Sequence, residues 1–150
     1  MRLACFVVTQ RALSLARTLR QCLDESFTIY VPQKLAVSLD EQQSLKIRSF
    51  EHLSESVQTN FHAYDGLVFI MATGIVVRMI APCLDSKLTD PAVVVFDEQG
   101  QHGISLLSGH IGGANELTRH LCQAIGAGAV ITTATDVNGC LAPDALAQRL

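Results

Sequence analysis

Two short runs decide what this chain can fold into. Leu67–Met71 and Ala92–Phe96 are apolar at every position. Each is too short for a stable helix and neither alternates with polar residues, so each reads as a strand buried on both faces. A strand of that kind belongs in the middle of a mostly parallel sheet with helices packed on either side. Leu3–Thr9 is a third run of strand type, and after it Ala12, Leu15, Ala16, Leu19, Cys22 and Leu23 recur at helical spacing. That is a β–α unit.

The same alternation continues along the chain. Phe27–Val31 reads as a strand stopped by Pro32, and Leu45–Phe50 as a weaker one in which Leu45 and Ile47 alternate with Lys46 and Arg48. Leu53, Val57, Phe61 and Tyr64 mark an amphipathic helix. Asp65–Gly66 opens the central strand, Ala72-Thr73-Gly74 makes the turn, and a short helix over Ile75–Ala81 is stopped by Pro82. After Ala92–Phe96, Asp97-Glu98-Gln99-Gly100 is a turn sequence, and Gly103–Leu107 returns from it as an antiparallel hairpin. Ser108–Gly113 leads into a helix carrying Leu117, Leu121, Cys122 and Ile125 and ending at Gly126. Ala129–Thr132 is the last strand and Pro143–Leu150 starts a last helix. The expected fold is therefore α/β: a three-layer, mostly parallel sheet with one antiparallel hairpin and helices on both faces. Residues 1–150 form one domain in this reading.

Composition narrows the functional classes. With 49% hydrophobic residues the chain is not disordered. Eleven basic and fourteen acidic residues give a net charge of −3, which argues against a nucleic-acid partner. The five cysteines, at 5, 22, 83, 122 and 140, show no metal-site spacing and read as small buried hydrophobes in a reducing cytosol. The apolar stretch Gly66–Leu84 holds Arg78 near its centre and makes a poor membrane span, and no export signal is visible. A cytoplasmic protein without a membrane partner is expected.

Three turns carry groups capable of chemistry. Arg78 is the only charged residue between Gly66 and Leu84 and sits one turn inside the helix opened by Thr73 and Gly74, where free N–H groups favour anions. An internal salt bridge is its plain alternative. Ser108-Gly109-His110-Ile111-Gly112-Gly113-Ala114-Asn115-Glu116 concentrates glycines, a hydroxyl, an imidazole and an amide between a strand and a helix. The form is that of an anion or oxyanion cradle, with neither the P-loop nor the dinucleotide fingerprint. His110 suits general acid–base work, a structural hydrogen bond being the bland alternative. Thr132-Thr133-Ala134-Thr135-Asp136 adds hydroxyls and a carboxylate, groups that also cap turns. The candidate catalytic residue is His110. The candidate binding residues are Thr73, Gly74, Arg78, Ser108, Gly109, Gly112, Gly113, Asn115, Thr133 and Asp136, with no metal ligands. All three turns are expected on one rim of the sheet, beyond the carboxyl ends of the strands.

The passage DGLVFIMATGIVVRMIAPCLDSKLTDPAVVVFDEQGQHGISLLSGHIGGANELTRHL, followed by AVITTATDVNG, closely resembles the N-terminal region of the cobalamin-biosynthesis CbiG family. The resemblance runs without a gap from about Asp65 to Gly139 and rests on the ATGIVVR, DPAVVV, LLSGHxGGANEL and ITTATD blocks. Longer members of the family continue into a middle region and a C-terminal domain, so the chain resembles a fragment or a split form. The resemblance implies a cobalt-precorrin-5A hydrolase, which opens the ring A acetate δ-lactone of a cobalt-corrinoid and releases acetaldehyde. It implies no cofactor of the protein's own, cobalt arriving in the substrate, and as partners the C-terminal domain or other enzymes of the pathway. In that reaction the N–H groups of Gly112 and Gly113 would hold the oxyanion, His110 would activate water or protonate the leaving oxygen, and Arg78 would grip a carboxylate. Two alternatives stand beside it: a non-catalytic corrinoid-binding or assembly module, and a nucleotide-binding α/β domain.

Overall fold

The computed structural model describes residues 1–23, 27–39 and 46–137. Among these residues seven strands form one sheet: β1 (Leu3–Val7), β2 (Phe27–Pro32), β3 (Ile47–Phe50), β4 (Gly66–Ile70), β5 (Ala92–Phe96), β6 (His102–Leu107) and β7 (Gly128–Val130). Between them lie α1 (Gln10–Gln21), α2 (Gln33–Ala36), α3 (Leu53–Asn60), α4 (Thr73–Ile80) and α5 (Ala114–Ile125), and α6 (Ala134–Val137) follows β7. The strand order is β3-β2-β1-β4-β5-β6-β7. The first five strands run parallel, β5 and β6 pair antiparallel, and β7 lies parallel to β6. The last two strands therefore run against the other five.

Both sheet faces are covered, as the apolar runs required. All five residues of β1, β4 and β5 are buried. On one face Leu3, Cys5, Ile29 and Val94 pack with Leu13 and Leu19 of α1 and Leu121 of α5. On the other, Phe6 stacks between Tyr30 and Phe69, with ring centroids 4.7 and 5.4 Å away, and Val57 of α3 and Val76 of α4 close the layer. The three-layer α/β architecture with one antiparallel hairpin is the one expected.

Element boundaries moved where side chains captured backbone groups. β1 stops at Val7 because Thr9 caps α1, its hydroxyl accepting the Ala12 N–H at 3.1 Å. α4 starts at Thr73, two residues earlier than expected, because the Ala72 carbonyl already accepts the N–H of Ile75 at 3.0 Å. α2 was not foreseen; Pro32, with its fixed φ, stands at its start. The helix expected over Pro143–Leu150 and the fifth cysteine, Cys140, lie outside the described residues. Cys5 and Cys122 are buried and Cys83 partly covered, but Cys22 is exposed, since it follows the last buried turn of α1. Among the described residues no helix is long and apolar enough to cross a membrane.

Candidate active site

The antiparallel pair decides where the three turns lie. Ala72-Thr73-Gly74 follows β4 and sits on the rim formed by the carboxyl ends of β1 to β5. The hairpin pairs Phe96 with Gly103 and Val93 with Leu107, so β6 ends at the opposite rim, where β4 and β5 begin. β7 runs with β6 and ends facing the same way. Contacts confirm the placement: the Ser108 hydroxyl donates to the carbonyl of Asp90, just before β5, at 3.0 Å. The expectation of one shared rim is thus corrected. The hairpin reverses every later strand, and a five-residue strand separates the two rims by about 16 Å. Thr73, Gly74 and Arg78 cannot converge with His110 on one small group.

On the rim of β4, Thr73 lines an open groove of about 820 Å³ together with Val8, Arg11, Met71, Ile75 and Glu98. It lies beside the β1–β4 pair, where strand order reverses and open α/β sheets place ligands. Arg78 is exposed and folds back along its own helix, its Nη1 donating to the Gly74 carbonyl at 3.0 Å.

The opposite rim holds the remaining candidates. The loop after β6 is closed on itself. The N–H groups of Ala114 and Asn115 donate to the carbonyls of Ser108 and Gly109 at 3.1 and 3.0 Å, and the N–H of Gly113 donates to the His110 carbonyl at 3.1 Å. The amide of Gly113 is therefore engaged inside the loop and does not form the open oxyanion cradle expected of it. Ser108 has φ +58°, which is uncommon outside glycine, and Gly113 has φ +82° at the start of α5. Gly112 is required by contact: a Cβ there would lie 2.4 Å from Ser108 Cβ.

What the loop positions is a polar network. Asn115 is buried on the first turn of α5. Its Oδ1 accepts from Ser105 Oγ at 2.7 Å, and its Nδ2 donates to Thr133 Oγ1 and Asp136 Oδ2, both at 2.9 Å. Thr133 Oγ1 donates onward to Asp136 Oδ2 at 2.7 Å, and Arg119 Nη2 donates to Asp136 Oδ1. The hydrogen bond from Arg119, joined by that from Thr133, holds the Asp136 carboxyl below its usual range, so it is a carboxylate at neutral pH. His110 Nδ1 lies 3.4 Å from Asp136 Oδ2, and His110 Nε2 shares a hydrogen bond with Thr135 Oγ1 at 2.5 Å. The His110 side chain is 30% exposed and reaches solvent.

Of the candidates on this rim, His110, Asn115, Thr133 and Asp136 meet in one network, while Ser108, Gly109, Gly112 and Gly113 shape the loop that carries it. Ser105 and Arg119 join it unforeseen, and Thr135, named among the hydroxyls of 132–136 but not as a candidate, joins it too. Arg119 was findable, since it stands four residues after Asn115 on the same helix face. Among the described residues no cluster of three or more His, Cys, Asp or Glu side chains is placed to hold a metal ion.

Comparison with known proteins matches the family model "Cobalamin synthesis G N-terminal" to residues 55–136, a span that includes Thr73, Gly74 and Arg78 on one rim and every candidate on the other. A protein of Salmonella typhimurium named cobalt-precorrin-5A hydrolase is 62% identical over 90 residues, covering 60% of this chain and 26% of that protein. One of Priestia megaterium with the same name is 41% identical over 146 residues, covering 97% of this chain and 38% of that protein. A solved structure of a cobalamin biosynthesis protein G homologue from Sulfolobus solfataricus superposes with a TM-score of 0.63 at 24% identity, over 87% of this chain and 36% of that one. The last likeness is one of fold. The chain spans between a quarter and two-fifths of the length of these curated relatives.

Proposed function

The chain belongs to the cobalamin synthesis G N-terminal family, and from that membership we propose that it serves as the hydrolytic domain of a cobalt-precorrin-5A hydrolase. The reaction is the opening of the ring A acetate δ-lactone of a cobalt-corrinoid, followed by loss of acetaldehyde. The observation that carries the reading is the imidazole of His110 held between the ionised Asp136 and a hydroxyl on a solvent-facing rim.

Lactone opening needs a base to generate the attacking oxygen and an acid to protonate the departing one. His110 supplies both in turn. Asp136, fixed by Arg119, Thr133 and Asn115, orients the ring and stabilises the imidazolium. Cobalt would travel within the macrocycle as part of the substrate, and the reaction would take place in the cytoplasm. The remaining length of the family's polypeptide, or other enzymes of the pathway, would be its partners.

One observation favours a second reading. The Gly113 N–H that would hold an oxyanion is engaged within the loop, and the large groove lies on the other rim. A module that binds the corrinoid in the groove and leaves the chemistry to another domain would have this form. Mixing the 150-residue chain with the cobalt-precorrin lactone and measuring acetaldehyde separates the two. The hydrolytic reading expects release that falls by roughly two to four orders of magnitude in His110→Ala. Binding without release assigns the module.

A further inference from the structure

We infer that Thr135 is the nucleophile of this site, an inference that rests on His110 being its base. Both ring nitrogens of His110 are occupied: Nδ1 faces the Asp136 carboxylate at 3.4 Å and Nε2 contacts Thr135 Oγ1 at 2.5 Å. A proton on Nδ1 answers the carboxylate, which leaves Nε2 as acceptor and the Thr135 hydroxyl as donor. Nε2 already holds the Thr135 hydroxyl, so the proton that His110 takes is the one on Thr135. The order hydroxyl, imidazole, carboxylate is that of an activated nucleophile with its base and orienting group.

The neighbouring hydroxyls are committed elsewhere. Ser105 donates to Asn115, Ser108 to the Asp90 carbonyl, and Thr133 to Asp136 while accepting from Asn115. Of these side chains Thr135 alone is directed at the imidazole.

The step balances without any co-reactant but water. Thr135 Oγ attacks the lactone carbonyl carbon as its proton passes to His110 Nε2. The tetrahedral centre collapses, the bond to the ring oxygen breaks, and that oxygen takes the proton from His110. The acetate side chain is left as an ester of Thr135 and the bridge carbon carries a hydroxyl. Water, deprotonated by His110, then attacks the ester, Oγ leaves and regains the proton, and the carboxylic acid is released.

The test uses p-nitrophenyl acetate with the full 150-residue chain, an acyl donor that requires no corrinoid site. The expected result is a burst of nitrophenol equal to the protein concentration and an acetyl group on the peptide containing Thr135. Thr135→Ser should keep the burst, Thr135→Ala and Thr135→Val should abolish it, and His110→Ala should slow it by roughly 10²- to 10⁴-fold. An absent burst in the wild type, acetyl on another residue, or an intact burst in Thr135→Ala overturns the inference. Circular dichroism of each variant guards against misfolding. Acetaldehyde release separates the two levels of the argument. If Thr135→Ala releases it at the wild-type rate while His110→Ala does not, the nucleophile falls and the base stands; if both release it normally, both fall.

Discussion

Asn115→Ala is the perturbation whose size follows most directly from the structure. Asn115 is 4% exposed and its side chain makes three hydrogen bonds, to Ser105, Thr133 and Asp136. The two neutral bonds are each worth roughly 1 kcal/mol net and the one to the carboxylate about 1.5–3, an upper limit near 4–5 kcal/mol. All three partners are only partly buried, so water replaces some of what is lost. The expected destabilisation is about 2–3 kcal/mol. For a chain of this size that lowers Tm by about 5–10 °C. Urea unfolding followed by far-ultraviolet circular dichroism measures it, provided the m-value stays that of the wild type. The bond to Asp136 is isolated by a double-mutant cycle with Asp136→Ala, for which a coupling of about 1 kcal/mol or more is expected. A loss below about 0.5 kcal/mol, or additive single mutants, would show that this network does not hold the rim together.

Two further outcomes follow from the same rim. Because the folded Asp136 carboxyl titrates below its unfolded value near 3.9, its stabilisation is complete above that pH and is lost as pH falls through the lower, folded value. Asp136→Asn should therefore lose stability relative to wild type at pH 7, and the difference should shrink below about pH 4; urea midpoints at both pH values check this. Gly112→Ala places a Cβ 2.4 Å from Ser108 Cβ and 2.8 Å from its carbonyl oxygen. Such overpacking should cost about 1–3 kcal/mol in a thermal melt and, by moving the Ser108–His110 segment, also slow acylation by p-nitrophenyl acetate.

The fold was legible because its strands are set by burial. β4 and β5 are apolar at every residue and buried at every residue, and the hairpin announced itself in Asp97-Glu98-Gln99-Gly100. Individual site residues were legible from their chemistry: His110, Asn115, Thr133 and Asp136 were singled out and do meet. Their geometry was less so. Placing all three turns on one rim treated each as an ordinary βα turn, although a chain that turns back at residues 97–101 carries everything after it in the opposite direction. The glycines of 108–113 suggested open amides, yet their freedom is used to bring the loop back onto Ser108. Thr135 was counted among the hydroxyls of 132–136 but not singled out, because such hydroxyls also have a turn and capping explanation and its directed contact with His110 exists only in three dimensions.

The reversal also explains why a polar network stands where it does. β7 is three residues long and exposed along its whole length, so apolar burial does little to fix the chain that leaves it. The bonds from Asn115 and Arg119 of α5 to Thr133 and Asp136 tie that segment down instead. Scaffold and chemistry are therefore joined: removing Asn115, Thr133 or Asp136 loosens the edge as well as the imidazole, and lost activity in those variants says nothing of mechanism by itself. Thr135 is different. Its hydroxyl touches His110 and takes no part in the bonds among Asn115, Thr133, Asp136 and Arg119. Within this network it is the position where a truncation removes a reacting oxygen while the supports of the rim remain in place.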